Sequence, residues 1–170
     1  GLQTTKGVCA PRNVKDVHAY GIECSSDFSM IWKNDWLFSL NGTLSWTPSI
    51  NEGEPMSPAD QSVGKQLPYV PEWSSSITGR LTWKSWSLLY KWCYYSERFT
   101  MSSNDISLTG KLPPYFMNNL TLERGITTKW AELSLKGAIN NLFNEEYLSV
   151  LSRPMPGINF EFFISITPHF

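Results

Sequence analysis

Residues that could perform acid–base or metal chemistry are few and widely separated in this sequence. The two histidines, His18 and His169, are isolated, and the pattern brings no partner for a triad or a metal site beside either one. The cysteines, Cys9, Cys24 and Cys93, are odd in number and form no CxxC pair, which favours unpaired packing residues. No Gly-rich phosphate-binding loop is present. The sequence therefore predicts no enzyme, no cofactor and no metal site.

The composition favours a chain that presents aromatic rings to a surface other than water. Charged residues make up 17% and aromatic residues 14%, with eight tryptophans. The net charge of -1 excludes a basic footprint for nucleic acid. No apolar run is long enough for a transmembrane helix. Residues 1–6 lack the apolar segment of a signal peptide, so we expect that a signal was removed or that the chain starts inside a longer one.

The elements that must position any functional side chain alternate between apolar and polar residues with a period of two, which predicts β-strands. The last stretch shows the pattern most clearly, because Ile158, Phe160, Phe162, Ile164, Ile166 and Phe170 share one face. Seven such stretches are found: 17–32, 36–46, 74–83, 86–99, 115–125, 130–142 and 158–170.

The connections between these stretches alternate between short turns and long polar loops. Short turns follow Trp32, Trp83 and Gly125, whereas long loops follow Trp46, Phe99 and Leu142. Antiparallel strands joined in this way place every short turn at one end and every long loop at the other, as in outer-membrane barrels. The predicted fold is therefore all-β, an antiparallel up-and-down meander of about seven strands that forms a segment of a transmembrane β-barrel.

The positions of the tryptophans and the charges fit the two environments of a barrel segment, which are lipid on one face and the lumen on the other. Five tryptophans lie at the short-turn end, where amphipathic rings prefer the boundary between lipid and water. They are Trp32, Trp36, Trp83, Trp86 and Trp130. A charge on the lipid face would cost about 2–4 kcal/mol at mid-bilayer. The mid-strand charges all fall on the polar face of the pattern, namely Glu23, Asp27, Arg80, Lys91, Glu123, Glu132, Lys136 and Glu161.

Motifs along the chain resemble the end of TonB-dependent outer-membrane receptors. The run Asn141-Leu142-Phe143-Asn144-Glu145-Glu146-Tyr147 is similar to the family's NLFN-x-x-Y segment before the last loop, and Pro156-Gly157 is similar to its PG before the last strand. Leu67-Pro68-Tyr69-Val70-Pro71 resembles an LPYVP element, and Pro11-Arg12-Asn13-Val14 with Gly21-Ile22-Glu23 resembles a strand entry. These motifs are similar to those of Bacteroidetes-type receptors.

The resemblance implies that residues 1–170 form the C-terminal segment of a receptor barrel in the bacterial outer membrane, without the plug domain. It implies TonB-energised uptake of a bulky nutrient, such as an iron chelate, a corrinoid or a glycan. The implied partners are outer-membrane lipid, the remainder of the receptor chain, and the TonB complex through the missing N-terminal part. The implied C-terminal assembly signal consists of Phe160, Phe162, Ile164, Ile166 and Phe170.

Ligand contacts are expected from loops at the mouth of a barrel, because such loops carry recognition. The candidates by position are Arg12, Lys65, Tyr69, Trp73 and the loop 101–114. No recognisable motif in the sequence identifies the ligand.

Two alternatives remain open at the level of sequence. A soluble lipocalin-like barrel would bind a ligand in an apolar interior and would invert the two faces. A complete small outer-membrane barrel, acting as an adhesin or an enzyme, requires an even number of strands. As a segment of a larger barrel, the chain leaves two sheet edges and an apolar face uncovered, so the isolated fragment is expected to self-associate.

Overall fold

The computed structural model describes residues 2–5, 8–11, 16–33 and 35–169, with side chains from Asp16 onward. Within these residues, seven long strands form one antiparallel sheet whose order follows the chain. We number them β1 (Ile22–Trp32), β2 (Trp36–Trp46), β3 (Trp73–Trp83), β4 (Trp86–Tyr95), β5 (Tyr115–Thr127), β6 (Ala131–Asn140) and β7 (Asn159–Pro168). The predicted seven-stranded meander is confirmed. The sheet is not closed, because β1 and β7 each pair along one edge only.

Smaller ribbons extend the sheet at its loop end. Val17–Ala19 pairs with Ser49–Asn51, Arg98–Phe99 with Lys111–Leu112, and Leu148–Val150 with Arg153–Pro154. Leu2–Thr5 and Val8–Pro11 form a further two-stranded ribbon. No helix in the described part of the chain is long and apolar enough to cross a membrane.

The first predicted strand, 17–32, is wrong as one continuous element. It divides at Tyr20 and Gly21, where the chain changes its partner from β2 to Ser49–Asn51. Pro48 lies opposite this break and has no N–H for a ladder, while its carbonyl accepts the Tyr20 N–H at 3.3 Å. The ladder is therefore interrupted by Pro48, which lies between β2 and the Ser49–Asn51 strand.

Predicted strand ends differ from the observed ends where side chains replace backbone partners. The stretch 86–99 ends at Tyr95, because the Ser96 hydroxyl accepts the Trp73 N–H at 3.1 Å before the chain enters the Arg98 ribbon. The stretch 130–142 ends at Asn140, since Asn141 has a φ of 53°. The stretch 158–170 is a strand over Asn159–Pro168, and Phe170 lies outside the described residues.

The strand register aligns the apolar residues of all seven strands on one face, which we call the apolar face. One row across it joins Met30 to Phe38, Leu81, Leu88 and Leu122 through direct cross-strand partners. Large side chains on this face remain exposed, including Phe160 and Phe162 at 72% and 69%. A sheet with so much exposed apolar surface requires a non-aqueous neighbour.

The opposite, polar face carries the charges that the sequence assigned to it, so that prediction is confirmed. Asp27 lies opposite Asn41 and accepts a hydrogen bond from its amide at 2.7 Å, and Glu123 lies opposite Lys136. Arg124 departs from the pattern, because it lies on the apolar face with its guanidinium 4.6 Å from the centre of the Trp86 ring.

Tryptophan pairs mark both ends of the apolar face. Trp36 lies opposite Trp83 at the short-turn end, and Trp46 lies opposite Trp73 at the loop end. Each of β2 and β3 therefore spans ten residue steps between tryptophans, which is about 33 Å along a strand. A tilt of about 40° reduces this to about 25 Å, the height of the apolar band in outer-membrane barrels.

Candidate functional site

The loop end of the sheet is the candidate site, because all three long connections meet there. Residues 47–72, 96–114 and 141–158 join β2 to β3, β4 to β5, and β6 to β7. The first two loops are linked by the amide of Asn104, whose Nδ2 donates to the Gln66 carbonyl and whose Oδ1 accepts the Gln66 N–H, both at 2.8 Å. The amide thus acts as a strand partner for Gln66.

Gln66 is buried, and its own side chain completes this link. Its Oε1 accepts the Ser49 N–H at 2.8 Å, and its Nε2 donates to the Val70 carbonyl at 3.3 Å. Tyr69 adds a second tie between the two loops, because its N–H donates to the Phe99 carbonyl at 2.7 Å. Loops joined through buried amides keep a defined shape above the sheet.

Asn141 and Asn144 organise the third loop. Asn141 is 1% exposed; its Nδ2 donates to the carbonyls of Glu145 and Pro156, and its Oδ1 accepts the Glu145 N–H at 2.8 Å. The Asn144 Oδ1 accepts the Ile158 N–H at 2.9 Å and lies 2.4 Å from where a Cβ at Gly157 would be. The two motifs that carried the family resemblance therefore contact each other.

A tyrosine cluster, formed by Tyr95, Tyr115 and Tyr147, lies where the polar face meets the loops. Tyr95 and Tyr115 are cross-strand partners with ring centroids 5.1 Å apart, and Tyr147 stacks on Tyr115 at 4.6 Å. All three rings are half-buried. Stacked rings held by two strands and a loop form a preorganised aromatic surface.

The Arg98 guanidinium lies against this cluster, with its carbon 4.7 Å from the centre of the Tyr115 ring. Arg98 is 5% exposed and donates to the carbonyls of Pro113 and Leu148, which joins the second loop to the third. Among the described residues no carboxylate pairs with it, and its Nε has no hydrogen-bond partner. The cluster therefore has positive charge that the described residues do not neutralise.

Below the cluster, the polar face presents a compact set of charges. Glu123 lies 3.5 Å from Arg80 and 3.7 Å from Lys136, so one carboxylate serves two cations. A shallow hollow beside them is lined by Asp27, Asn41, Thr78, Arg80 and Lys91. These partly exposed groups suit a hydrated lumen, where exposed ion pairs contribute little to stability.

Loop residues also have shifted pKa values. Hydrogen bonds from the Met56 N–H and from Ser62 lower the pKa of the Asp60 carboxyl, and those from the Ser107 hydroxyl and N–H lower the pKa of Asp105. Because these folded-state pKa values are lowered, the turns are stabilised above the ordinary carboxyl pKa and lose that stabilisation as the pH falls through the lowered values. Burial, followed by Tyr115, raises the pKa of Tyr147, so this ring is neutral at pH 7.

The structure brings together some of the ligand contacts that the sequence indicated and separates others. Lys65, Tyr69 and the loop 101–114 all belong to the linked loops, and Ile106 and Leu108 are fully exposed at the tip of that loop. Trp73 is the first residue of β3 and lies on the apolar face beside Trp46, which assigns it to the lipid-facing rings rather than to the ligand loops. Arg12 lies outside the described residues.

The histidines and cysteines occupy unrelated positions. His18 lies 3.5 Å from Glu52 and His169 lies 3.9 Å from Glu132, at opposite ends of the sheet. Cys24 is exposed and Cys93 is buried, and both are free. In the part of the chain that the structure describes, no three metal-binding side chains come together.

The tyrosine cluster and Arg98 are the features that sequence reasoning missed. Tyr95 and Tyr115 fall on the polar face by simple alternation, so the signal was present in the pattern. Tyr147 and Arg98 join them through loop geometry, which alternation does not predict.

These features together define the wall of an outer-membrane receptor barrel. The strands have membrane-spanning length, and the apolar face lies between tryptophan pairs. The polar face carries charges, and the long loops are linked at one end. Residues 2–142 match the family model for the TonB dependent receptor-like β-barrel, and the chain belongs to this family. Members of this family lie in the bacterial outer membrane, which confirms the predicted location.

Solved structures support the same fold, with twelve matching chains. One of them is BauA, the ferric preacinetobactin receptor from Acinetobacter baumannii, at 13% sequence identity and a TM-score of 0.56. The match covers 89% of this chain and 26% of BauA, so the present chain spans only part of such a receptor. No curated protein sequence matches this chain significantly.

Proposed function

We propose that this chain is the C-terminal wall of a receptor that takes up a bulky nutrient through the outer membrane with energy from a TonB complex. The observation that carries the proposal is the family match over residues 2–142, together with a polar face that opens onto linked loops. The remainder of the receptor would contribute the plug and the contact with TonB. The role is transport, and we assign no catalytic step to these residues.

The tyrosine cluster with Arg98 supports a ligand that is aromatic or anionic. The ring faces favour stacking with an aromatic group, and the positive charge of the Arg98 guanidinium, which has no carboxylate partner in the described residues, favours an anionic one. An iron chelate fits this chemistry better than a neutral glycan or a corrinoid, and BauA is named as a ferric preacinetobactin receptor. Lys65, Tyr69, Arg12 and the loop 101–114 are the further proposed contacts.

Uptake by cells that produce the intact receptor tests this function. The cells would be given ferric chelates, cobalamin and oligosaccharides, with and without a functional TonB. We expect a ferric chelate to accumulate only when TonB is present. Uptake that persists without TonB would show a passive pore and would contradict the proposal.

Adjacent tyrosines on opposite faces provide a matched pair of variants. Tyr95 belongs to the cluster, whereas Tyr94 lies on the apolar face against Phe116 at 5.1 Å. Tyr95→Ala should weaken ligand binding by about 2- to 10-fold, because it removes one aromatic contact worth about 0.5–1.5 kcal/mol. Tyr94→Ala should leave ligand binding within about twofold of the wild type. Equal losses in both variants would exclude the cluster as a ligand contact.

We also propose that the apolar residues of β7 serve as a signal for assembly into the membrane, together with Phe170. Phe160, Phe162, Ile164 and Ile166 lie on the apolar face of an edge strand and are all more than half exposed. An unpaired edge with an apolar face is free to pair with another strand before the barrel closes.

A further inference from the structure

The short-turn end of the sheet carries a repeated pairing of tryptophan with a basic side chain. The first turn reads Trp32-Lys33-Asn34-Asp35-Trp36, and the second reads Trp83-Lys84-Ser85-Trp86. In both, the lysine directly follows the last residue of a strand, and the flanking tryptophans are cross-strand partners. The third turn places Lys129 beside Trp130.

In the first two turns, the lysine lies close to the tryptophan ring that precedes it. The Nζ of Lys33 is 5.8 Å from the centre of the Trp32 ring, and the Nζ of Lys84 is 5.2 Å from that of Trp83. Arg124 reaches the Trp86 ring from β5 at 4.6 Å. Each cation is thus held at the edge of the apolar face by an aromatic neighbour.

The backbone of the turns indicates that these lysines are not ordinary turn residues. Lys33 and Lys84 both have a φ of 53°, a left-handed conformation that glycine and asparagine adopt more readily. A lysine costs stability at such a position, so its presence in two turns points to a role for the side chain.

The local charge is positive on the lipid side of this end. Lys33, Lys84 and Arg124 carry three positive charges against rings of the apolar face, and Asp35 is the one acidic residue in the sequence of the three turns. The nearby carboxylates Glu123 and Glu132 lie on the polar face, away from the lipid. The rim that lipid headgroups would meet therefore attracts anions.

We propose that this rim, formed by Trp32, Trp83, Trp86 and the cations Lys33, Lys84 and Arg124, binds the phosphate groups of anionic glycerophospholipids. Short turns face the periplasm in outer-membrane barrels, so the lipids belong to the periplasmic leaflet. The indole rings lie at the level of the ester groups, and the cations reach the phosphates with their flexible or forked donors. The expected preference for anionic over zwitterionic lipid is roughly fivefold for each engaged cation.

Quenching of tryptophan by brominated lipids measures this preference in the intact receptor, reconstituted in phosphatidylcholine. Brominated phosphatidylglycerol should quench the wild type at lower mole fraction than brominated phosphatidylcholine does. The double variant Lys33→Asn and Lys84→Asn keeps all tryptophans and places asparagine where the left-handed backbone suits it, so folding is preserved. It should lower the preference more than fivefold.

The control variant Lys91→Asn and Arg153→Asn removes the same charge from exposed residues away from this rim, one on the polar face and one at the loop end. It should keep the wild-type lipid preference. Arg124→Gln, which alters no turn, is a second variant and should lower the preference roughly fivefold. An unchanged preference in both rim variants, or an equal loss in the control, would overturn the proposal.

Discussion

At the loop end, asparagine side chains hold the loops in place by hydrogen bonds to backbone groups. Asn104 pairs with Gln66 as a strand would, and Asn141 satisfies three backbone groups of its own loop from a buried position. Both have a φ of 53°, which asparagine tolerates better than most residues. A loop built in this way is defined by a few amides rather than by an apolar core.

Replacement of Asn141 should therefore open the third loop. Asn141→Ala removes the side-chain partner of the Glu145 N–H and of the Glu145 and Pro156 carbonyls, and each lost hydrogen bond contributes about 0.5–1.5 kcal/mol. We expect the amides of Glu145 and Ile158 to exchange with solvent about 10- to 100-fold faster in hydrogen-exchange measurements of the intact receptor. Asn140→Ala removes one partly exposed bond to Asn159 and should change exchange little. Unchanged exchange in Asn141→Ala would show that the loop is held by other contacts.

At the scale of elements, the strands pair continuously where both partners follow the alternating pattern, and the pairing is interrupted where one partner lacks a backbone N–H. Gly21 lies at such a break, and a Cβ there would be 2.4 Å from the Trp46 carbonyl oxygen and 2.8 Å from a methyl group of Thr47. The chain can pass from β1 to the Val17–Ala19 ribbon because this position has no side chain.

Gly21→Ala should for this reason destabilise the first hairpin. The methyl group forces the backbone of Trp46 to move, with a cost of about 1–3 kcal/mol for overpacking. A lower melting temperature of the intact receptor is the expected result. Gly42→Ala is the matched control, since nothing lies within 4 Å of its added Cβ, and it should be near neutral. A melting temperature that falls equally in both variants would contradict this account.

The sequence predicted β2 to the residue and β3, β5, β6 and β7 to within two residues at each end, because a one-residue slip would turn an entire apolar row to the wrong face. The predictions for β1 and β4 were too long by five and four residues. The sequence did not predict the break at Gly21, because the cause is Pro48 on the neighbouring segment. It also missed the position of Trp73, which alternation within β3 placed on the apolar face once the strand was extended by one residue. Arg98 and Leu148 come together across 50 residues of chain, for which no local pattern exists.

At the scale of the whole molecule, the sheet of this chain is open. β1 and β7 expose unpaired edges, and the apolar face lacks a cover. In the proposed receptor, further strands would pair with both edges and lipid would cover the apolar face.

The isolated fragment should accordingly self-associate in water. Light scattering after size-exclusion chromatography without detergent should show oligomers or aggregates, since edges and apolar surface both promote pairing between copies. In lipid, brominated acyl chains should quench the tryptophans of the apolar face. A monodisperse monomer with unquenched tryptophans would instead support a water-soluble barrel with the faces reversed.

The spacing between the tryptophan pairs at the two ends of β2 and β3 can also be compared with the thickness of a bilayer. At a strand tilt of about 40°, their separation along the membrane normal is about 25 Å, which is shorter than the hydrocarbon core of an average membrane, about 30 Å. In a thicker bilayer the wall would have to tilt less or thin the surrounding lipid, at a cost of a fraction of a kcal/mol per Å of mismatch. At that tilt, the spacing of the indole rings matches the thinner of the two bacterial membranes.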